Sequence, residues 1–168
     1  MKLTSVSVSF SPNAYVQWED GGRAYAASKG GTDNQSVVAN TPEANAYVRN
    51  LLASRIKAGI EKVMAGQLNG ARPVRLEVVV KRFDIPSALE SILINSARGM
   101  TADARLVDAR TGAFIAANAD VAVALPAGGG LLGTAVQAAI DNAADQSPAQ
   151  KLIDRYAGDY RDWLLRKI

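Results

Sequence analysis

Near the start of the chain, "SVSVSF" sets Val6, Val8 and Phe10 against Ser5, Ser7 and Ser9. That alternation has the period of a strand with one buried face and one polar face. In "YVQWEDGGRAYAA", two short apolar runs flank Asp20-Gly21-Gly22, a turn signal, so this part reads as a hairpin or an irregular extended segment. "SKGGTDNQS" follows as a loop rich in turn formers. The pattern then changes period. Thr41-Pro42-Glu43 offers a hydroxyl cap, a proline for the first helical position and an acid for the first turn. Behind it, Ala44, Val48, Leu51, Leu52, Ile56, Ile60, Val63 and Met64 recur at helical spacing, with Arg49, Asn50, Lys57 and Lys62 on other faces. The spacing predicts an amphipathic helix over 41–66, ending near Gly66 or Gly70.

Period two returns over 73–125. Val74, Leu76, Val78 and Val80 share one face of a first strand, and Met100, Ala102, Ala104 and Leu106 share one face of a second. Ile115, Ala117, Ala119, Val121 and Val123 line one face of a third. "DARTG" joins the last two strands, with Asp108 starting a turn and Gly112 free to take positive φ, which predicts an antiparallel hairpin. C-terminal helices are expected over 134–168, with a fresh start at Ser147-Pro148. Leu152, Ile153, Tyr156, Tyr160, Trp163 and Leu164 form their apolar stripe, which reads as core rather than as a ligand box.

The patterns add up to a single α+β domain spanning 1–168, in the order β-(β)-α-β-β-β-α-α. An antiparallel sheet of four to five strands is expected, with the long helix and the C-terminal helices packed on one face.

Composition narrows the function. Cysteine and histidine are both absent from the 168 residues. Thiolate catalysis, the Ser-His-Asp arrangement and the commonest zinc ligands are therefore excluded. Net charge is +3, but the 19 basic residues are interleaved with 16 acids. Lys81–Arg82 and Arg166–Lys167, the densest basic clusters, are too short for a nucleic-acid tract, so no nucleic acid is expected as a partner.

Gly128, Gly130 and Gly133 match the spacing G-x-G-x-x-G. A dinucleotide loop needs a parallel βαβ setting and an acidic residue about twenty positions on. Here the preceding strand belongs to a hairpin and no strand follows, so no cofactor is implied. The uncharged run Val121–Ile140 is long enough to span a bilayer, but Pro126 and the glycines interrupt it. Asp103, Asp108 and Asp120 are candidates for carboxylate chemistry, yet Asp103 and Asp120 alternate with core positions and so face outward. Asp141 and Asp145 share a helix face, and two carboxylates alone make a poor metal site.

Two stretches read as partner surfaces. The insert "FDIPSALESILINSARG" holds Ile85, Leu89, Ile92, Leu93 and Ile94 where a short turn would suffice. Gly128, Gly129, Gly130, Leu131 and Leu132 form the second candidate. Arg75, Arg82 and Arg98 are candidates for binding an anion on a basic sheet face.

At "NGARPVRLEVVVKRFDIPS" and "ARLVDARTGAFIAANADV" the chain resembles small alphaproteobacterial envelope lipoproteins of unknown function. In that group "GARPV-LEV-V-RF" and a "D--TG" hairpin recur. The resemblance covers Thr41 to Val123 and a C-terminal helix ending like "YRDWLL"; it does not extend to a lipobox. It implies an exported, membrane-tethered, non-catalytic domain and transfers no catalytic residue.

The expectation is therefore a periplasmic or outer-membrane-tethered binding or assembly module, whose leader preceded Met1 and is missing here. Its partners would be proteins or the membrane surface of the cell envelope, with self-association left open. The rival readings are a small-ligand or anion-binding domain, a carboxylate-only enzyme, and a cytoplasmic setting.

Overall fold

The computed structural model describes residues 1–30, 41–86, 98–125 and 147–167. The elements are β1 (Lys2–Trp18), α1 (Glu19–Ser28), α2 (Pro42–Met64), β2 (Pro73–Ile85), β3 (Arg98–Asp108), β4 (Phe114–Leu125) and α3 (Pro148–Leu165). The strands form one sheet in the order β1-β2-β3-β4. β2–β3 and β3–β4 are antiparallel, while β1 runs parallel to β2. A parallel pair needs a long crossover, and the segment holding α1 and α2 supplies it. The fold is thus α+β with a mostly antiparallel sheet.

Burial follows the alternation of the two central strands. Val74, Leu76, Val78 and Val80 of β2 are at most 1% exposed, as are Met100, Ala102, Ala104 and Leu106 of β3. Leu52, Ile56 and Ile60 of α2 join them in one core with Leu152, Ile153, Tyr156, Tyr160 and Leu164 of α3. Both helices begin with the same device. The Ala44 N–H donates to Thr41 Oγ1 at 3.1 Å and the Gln150 N–H to Ser147 Oγ at 3.3 Å, with a proline next in each case.

Two expectations are corrected. Glu19–Ser28 is a helix, not a hairpin. Gly21 serves packing rather than a turn: a Cβ there would lie 2.5 Å from Cε3 of Trp18. Trp18 is itself buried, edge-on to Phe83 with ring centroids 6.2 Å apart. The second correction concerns β4. Ala104 pairs with Asn118 but Ala102 with Val121, so β4 carries an extra residue there. Asp120 takes up this bulge at φ 52°, a left-handed conformation that aspartate tolerates better than most residues. The bulge reverses the phase of the strand. Val121 and Val123 stay with the core, whereas Ala117 lies opposite Arg105 on the other face and Ala119 sits in the bulge.

The helix pair is packed to the limit of its backbone. A Cβ on Gly59 would meet Cγ2 of Ile153 at 2.5 Å, and that methyl, on a β-branched residue, cannot swing away. Gly→Ala in a helix ordinarily stabilises by about 0.5–1 kcal/mol. Here overpacking outweighs that gain, so Gly59→Ala is expected to destabilise by about 1–3 kcal/mol in urea denaturation. Tyr156 and Tyr160 are fully buried, and among the described residues neither hydroxyl has a hydrogen-bond partner. Burial pushes both phenols up, which keeps them neutral. Tyr160→Phe is accordingly expected to leave the unfolding midpoint unchanged or raise it, because it deletes an unsatisfied group.

Candidate functional site

Because the described helices take one face of the sheet, the other presents the alternate residues of all four strands. β1 contributes Ser5, Ser7 and Ser9, registered with Arg75, Glu77 and Val79 of β2. The Ser7 and Ser9 hydroxyls donate across the strand gap to the Leu76 and Val78 carbonyls at 3.5 and 3.4 Å. At the far end Tyr15 and Gln17 face Arg82 and Asp84. Tyr15 is 51% exposed, and the Arg82 guanidinium lies over its ring at 5.5 Å. At the opposite corner Arg105 covers Phe114, 60% exposed, in the same way at 5.8 Å.

The charges of this face are committed to one another. Lys81 Nζ bridges Oδ1 of Asp103 at 2.8 Å and Oδ1 of Asp120 at 2.7 Å. Asp103 Oδ1 also accepts the backbone N–H of Asp120 at 2.8 Å, which anchors the β4 bulge. Arg75 pairs with Glu77 at 2.7 Å, and Arg82 pairs with Asp84, which is only 6% exposed. Each partner stands two positions along the same strand, hence on the same face.

Two of the candidate acids, Asp103 and Asp108, are thus favoured in their ionised form. The Lys81 ammonium and then the Asp120 N–H keep the Asp103 carboxyl below its ordinary range, and the two carboxylates in turn raise Lys81. Asp108 is depressed further. Arg72 Nε donates to its Oδ2 at 2.8 Å, and its Oδ1 accepts the N–H groups of Thr111 and Arg110, both at 3.0 Å. Gly112, at φ 72°, completes that turn by donating its N–H to the Asp108 carbonyl at 2.9 Å. A general acid needs a raised carboxyl pKa, and these are lowered.

The three candidate arginines are not brought together. Arg75 lies opposite Val107 and Arg82 opposite Thr101, seven positions apart on β2, a span of about 23 Å. Arg98 opens β3 opposite Leu125, in phase with Met100 and therefore with the core-side residues. Ile85, expected in the contact insert, is the last residue of β2 and is buried in the core at 8% exposure. Leu89, Ile92, Leu93, Ile94, Gly128, Gly129, Gly130, Leu131 and Leu132 lie outside the described residues. The strand leading to the glycines, β4, pairs antiparallel with β3 and is the edge strand among the described residues, not the parallel strand a dinucleotide loop requires.

Sequence reasoning missed the role of Lys81 and the aromatic corners Tyr15 and Phe114. Opposite charges two apart within a strand were the available signal for the Arg75 and Arg82 pairs. It also missed a cavity of about 290 Å³ between the start of β1 (Lys2–Val6) and the end of α2, where Met64 and Leu68 supply apolar wall. Among the described residues, no group of three or more acids could hold a metal, and no helix is long and apolar enough to cross a membrane.

The depressed carboxyls set the pH dependence. A group with a lowered folded-state pKa stabilises the fold above its unfolded pKa, about 3.9 for aspartate, and that contribution is lost as pH falls. Urea midpoints are expected to decline between about pH 5 and pH 2, with Asp108→Asn flattening the decline and lowering the midpoint at neutral pH. An unchanged slope in the variant would remove Asp108 from this role.

In sequence, no curated protein matches the chain. Among solved structures, a chain described as a candidate lipoprotein from Caulobacter crescentus CB15 aligns at 18% identity and TM-score 0.41, covering 70% of this chain and 85% of that one. A lipoprotein from Neisseria meningitidis aligns at 23% identity and TM-score 0.27, covering 84% and 99%. A family model spans residues 42–164, from the start of α2 to the last turn of α3. The chain belongs to that family, a family of unknown function designated DUF6778.

Proposed function

We propose that this domain is a non-catalytic module of the cell envelope, the soluble part of a lipoprotein, acting through binding or assembly surfaces. The observation that carries the non-catalytic part is the Lys81–Asp103–Asp120 cluster. Its acids are neutralised by a lysine and committed to anchoring a bulge, an arrangement that serves structure and opposes proton transfer. The envelope part rests on the motifs shared with alphaproteobacterial lipoproteins over Thr41–Val123. Contact with partners is assigned to the insert at Leu89, Ile92, Leu93 and Ile94 and to the loop Gly128–Leu132, whose apolar and glycine residues suit a protein or membrane surface.

The reading is tested by expressing the full gene in its host, fractionating the cells and cross-linking in place. The expected result is envelope fractionation with incorporation of labelled palmitate. Cross-linked partners should be lost in Ile92→Glu/Leu93→Glu or Gly130→Glu/Leu131→Glu and retained in Asp103→Asn. A cytoplasmic product without lipid would overturn the location. Unchanged partners in both glutamate variants would overturn the contact assignment.

A further inference from the structure

The end of the sheet that carries the β3–β4 turn has a charge of its own. Ser7, Glu77, Arg105 and Ala117 form one row across all four strands, and the stretches 1–7, 70–77 and 105–117 lie between that row and the turn. They hold five cations, Lys2, Arg72, Arg75, Arg105 and Arg110, against two acids, Glu77 and Asp108. The remainder of the sheet, 8–18, 78–85, 98–104 and 118–125, is balanced at three cations and three acids. Asp108 and Glu77 are taken by Arg72 and Arg75. Arg105 stands opposite Glu77, but Oε1 of that carboxylate already accepts Nε and Nη2 of Arg75. Among the described residues no acid pairs with Lys2, Arg105 or Arg110, and all three are exposed. At the same corner Phe114 is 60% exposed with the Arg105 guanidinium over its ring. Val107, opposite Arg75 on one side and Phe114 on the other, is 1% exposed and gives the corner an apolar floor.

We propose that this end of the domain docks on a membrane surface of anionic phospholipid, with Lys2, Arg105 and Arg110 at the lipid phosphates and the Phe114 ring at the acyl boundary. The negative potential of such a surface attracts cations that have no acid of their own. A guanidinium takes a phosphate through two parallel hydrogen bonds, and a ring beside it supplies the apolar body that an interface accepts. An acidic protein fits less well. A stable protein interface needs a buried cluster of apolar anchors. Among the described residues Phe114 is the one large exposed hydrophobic at this end, since Tyr15 lies at the far end of the sheet and Leu165 on α3. The proposal rests on the envelope reading in one respect, that the lipid anchor lies ahead of Met1. The chain enters the sheet at this same end: the Met1 carbonyl accepts the Gly70 N–H at 2.8 Å, and the Lys2 N–H donates to the Arg72 carbonyl at 2.7 Å. An anchor there holds the basic end against the bilayer, where a high local concentration makes a weak contact sufficient.

Co-sedimentation of the whole chain, carrying no lipid, with vesicles tests it. Binding is expected to vesicles of phosphatidylglycerol and phosphatidylcholine in equal parts, not to phosphatidylcholine alone, and is expected to be released by added salt. Arg105→Gln/Arg110→Gln, checked for native circular dichroism, is expected to weaken binding about tenfold or more. Arg155→Gln/Arg166→Gln, the same change of net charge at α3, is expected to bind as the wild type does. Phe114→Trp is expected to add fluorescence that bromine-labelled acyl chains quench, beyond that of Trp18 and Trp163. A chain that ignores the anionic vesicles, binds neutral ones equally, or loses as much in the α3 control as in the corner variant would overturn the proposal. Binding to polyglutamate without binding to vesicles would overturn it in favour of an acidic protein, and unquenched fluorescence in Phe114→Trp would remove the ring from the contact. Failure on vesicles by a chain that is palmitate-labelled in its host removes this docking end alone and leaves the envelope reading standing.

Discussion

The apolar side of β2, running through Val74, Leu76, Val78 and Val80, is sealed by α2 and α3, and the molecule is built around that one-sided burial. A two-layer α+β domain has a single interface in which to bury its apolar area. Small alanines at positions 102 and 104 of β3 line the sheet's buried face, and the close approach of Gly59 to Ile153 brings the two helices together. Large rings also enter the core: Tyr156 and Tyr160 from α3, and Phe83 where it meets Trp18, with Gly21 making room for the indole. The cost of such packing is visible in the tyrosine hydroxyls left without partners in the core.

The other face of the sheet inherits the opposite constraint. Residues alternating with a buried row must project away from it, so a sheet covered by helices on one side needs a stable polar surface on the other. Here that surface is a set of short-range neutralisations: Arg75 with Glu77, Arg82 with Asp84, and Lys81 with Asp103 and Asp120. Exposed pairs of this kind add little stability singly. Their consequence is chemical, since they engage the carboxylates and occupy Arg75, Arg82 and Lys81. The least finished parts of the sheet are its margins, where β1 leaves Val8 and Phe10 half covered.

The central strands were legible in the sequence because period two with branched aliphatics on one side has few other solutions. The α2 cap and the Asp108 turn were legible because their chemistry is local. What escaped depends on tertiary contact. Glu19–Ser28 contains a glycine pair that signals a turn, yet the helix forms because Gly21 lets it sit on Trp18. The phase change in β4 hangs on one backbone angle at Asp120, which no pattern of apolar residues encodes. The parallel direction of β1 escaped because alternation says which face is buried and nothing about the neighbour's direction. The arginines failed as a cluster for the same reason: their number was readable, but register and same-face acids decide whether they converge.

If the candidate acids Asp103 and Asp108 serve structure rather than proton chemistry, both must titrate below free aspartate. Carboxyl-carbon NMR titration of Asp103 and Asp108 in the intact domain measures this directly. The account predicts midpoints below about 3.9 for both, with Asp108 the lower. A midpoint for Asp103 displaced upward toward neutrality would contradict it and point back to catalysis.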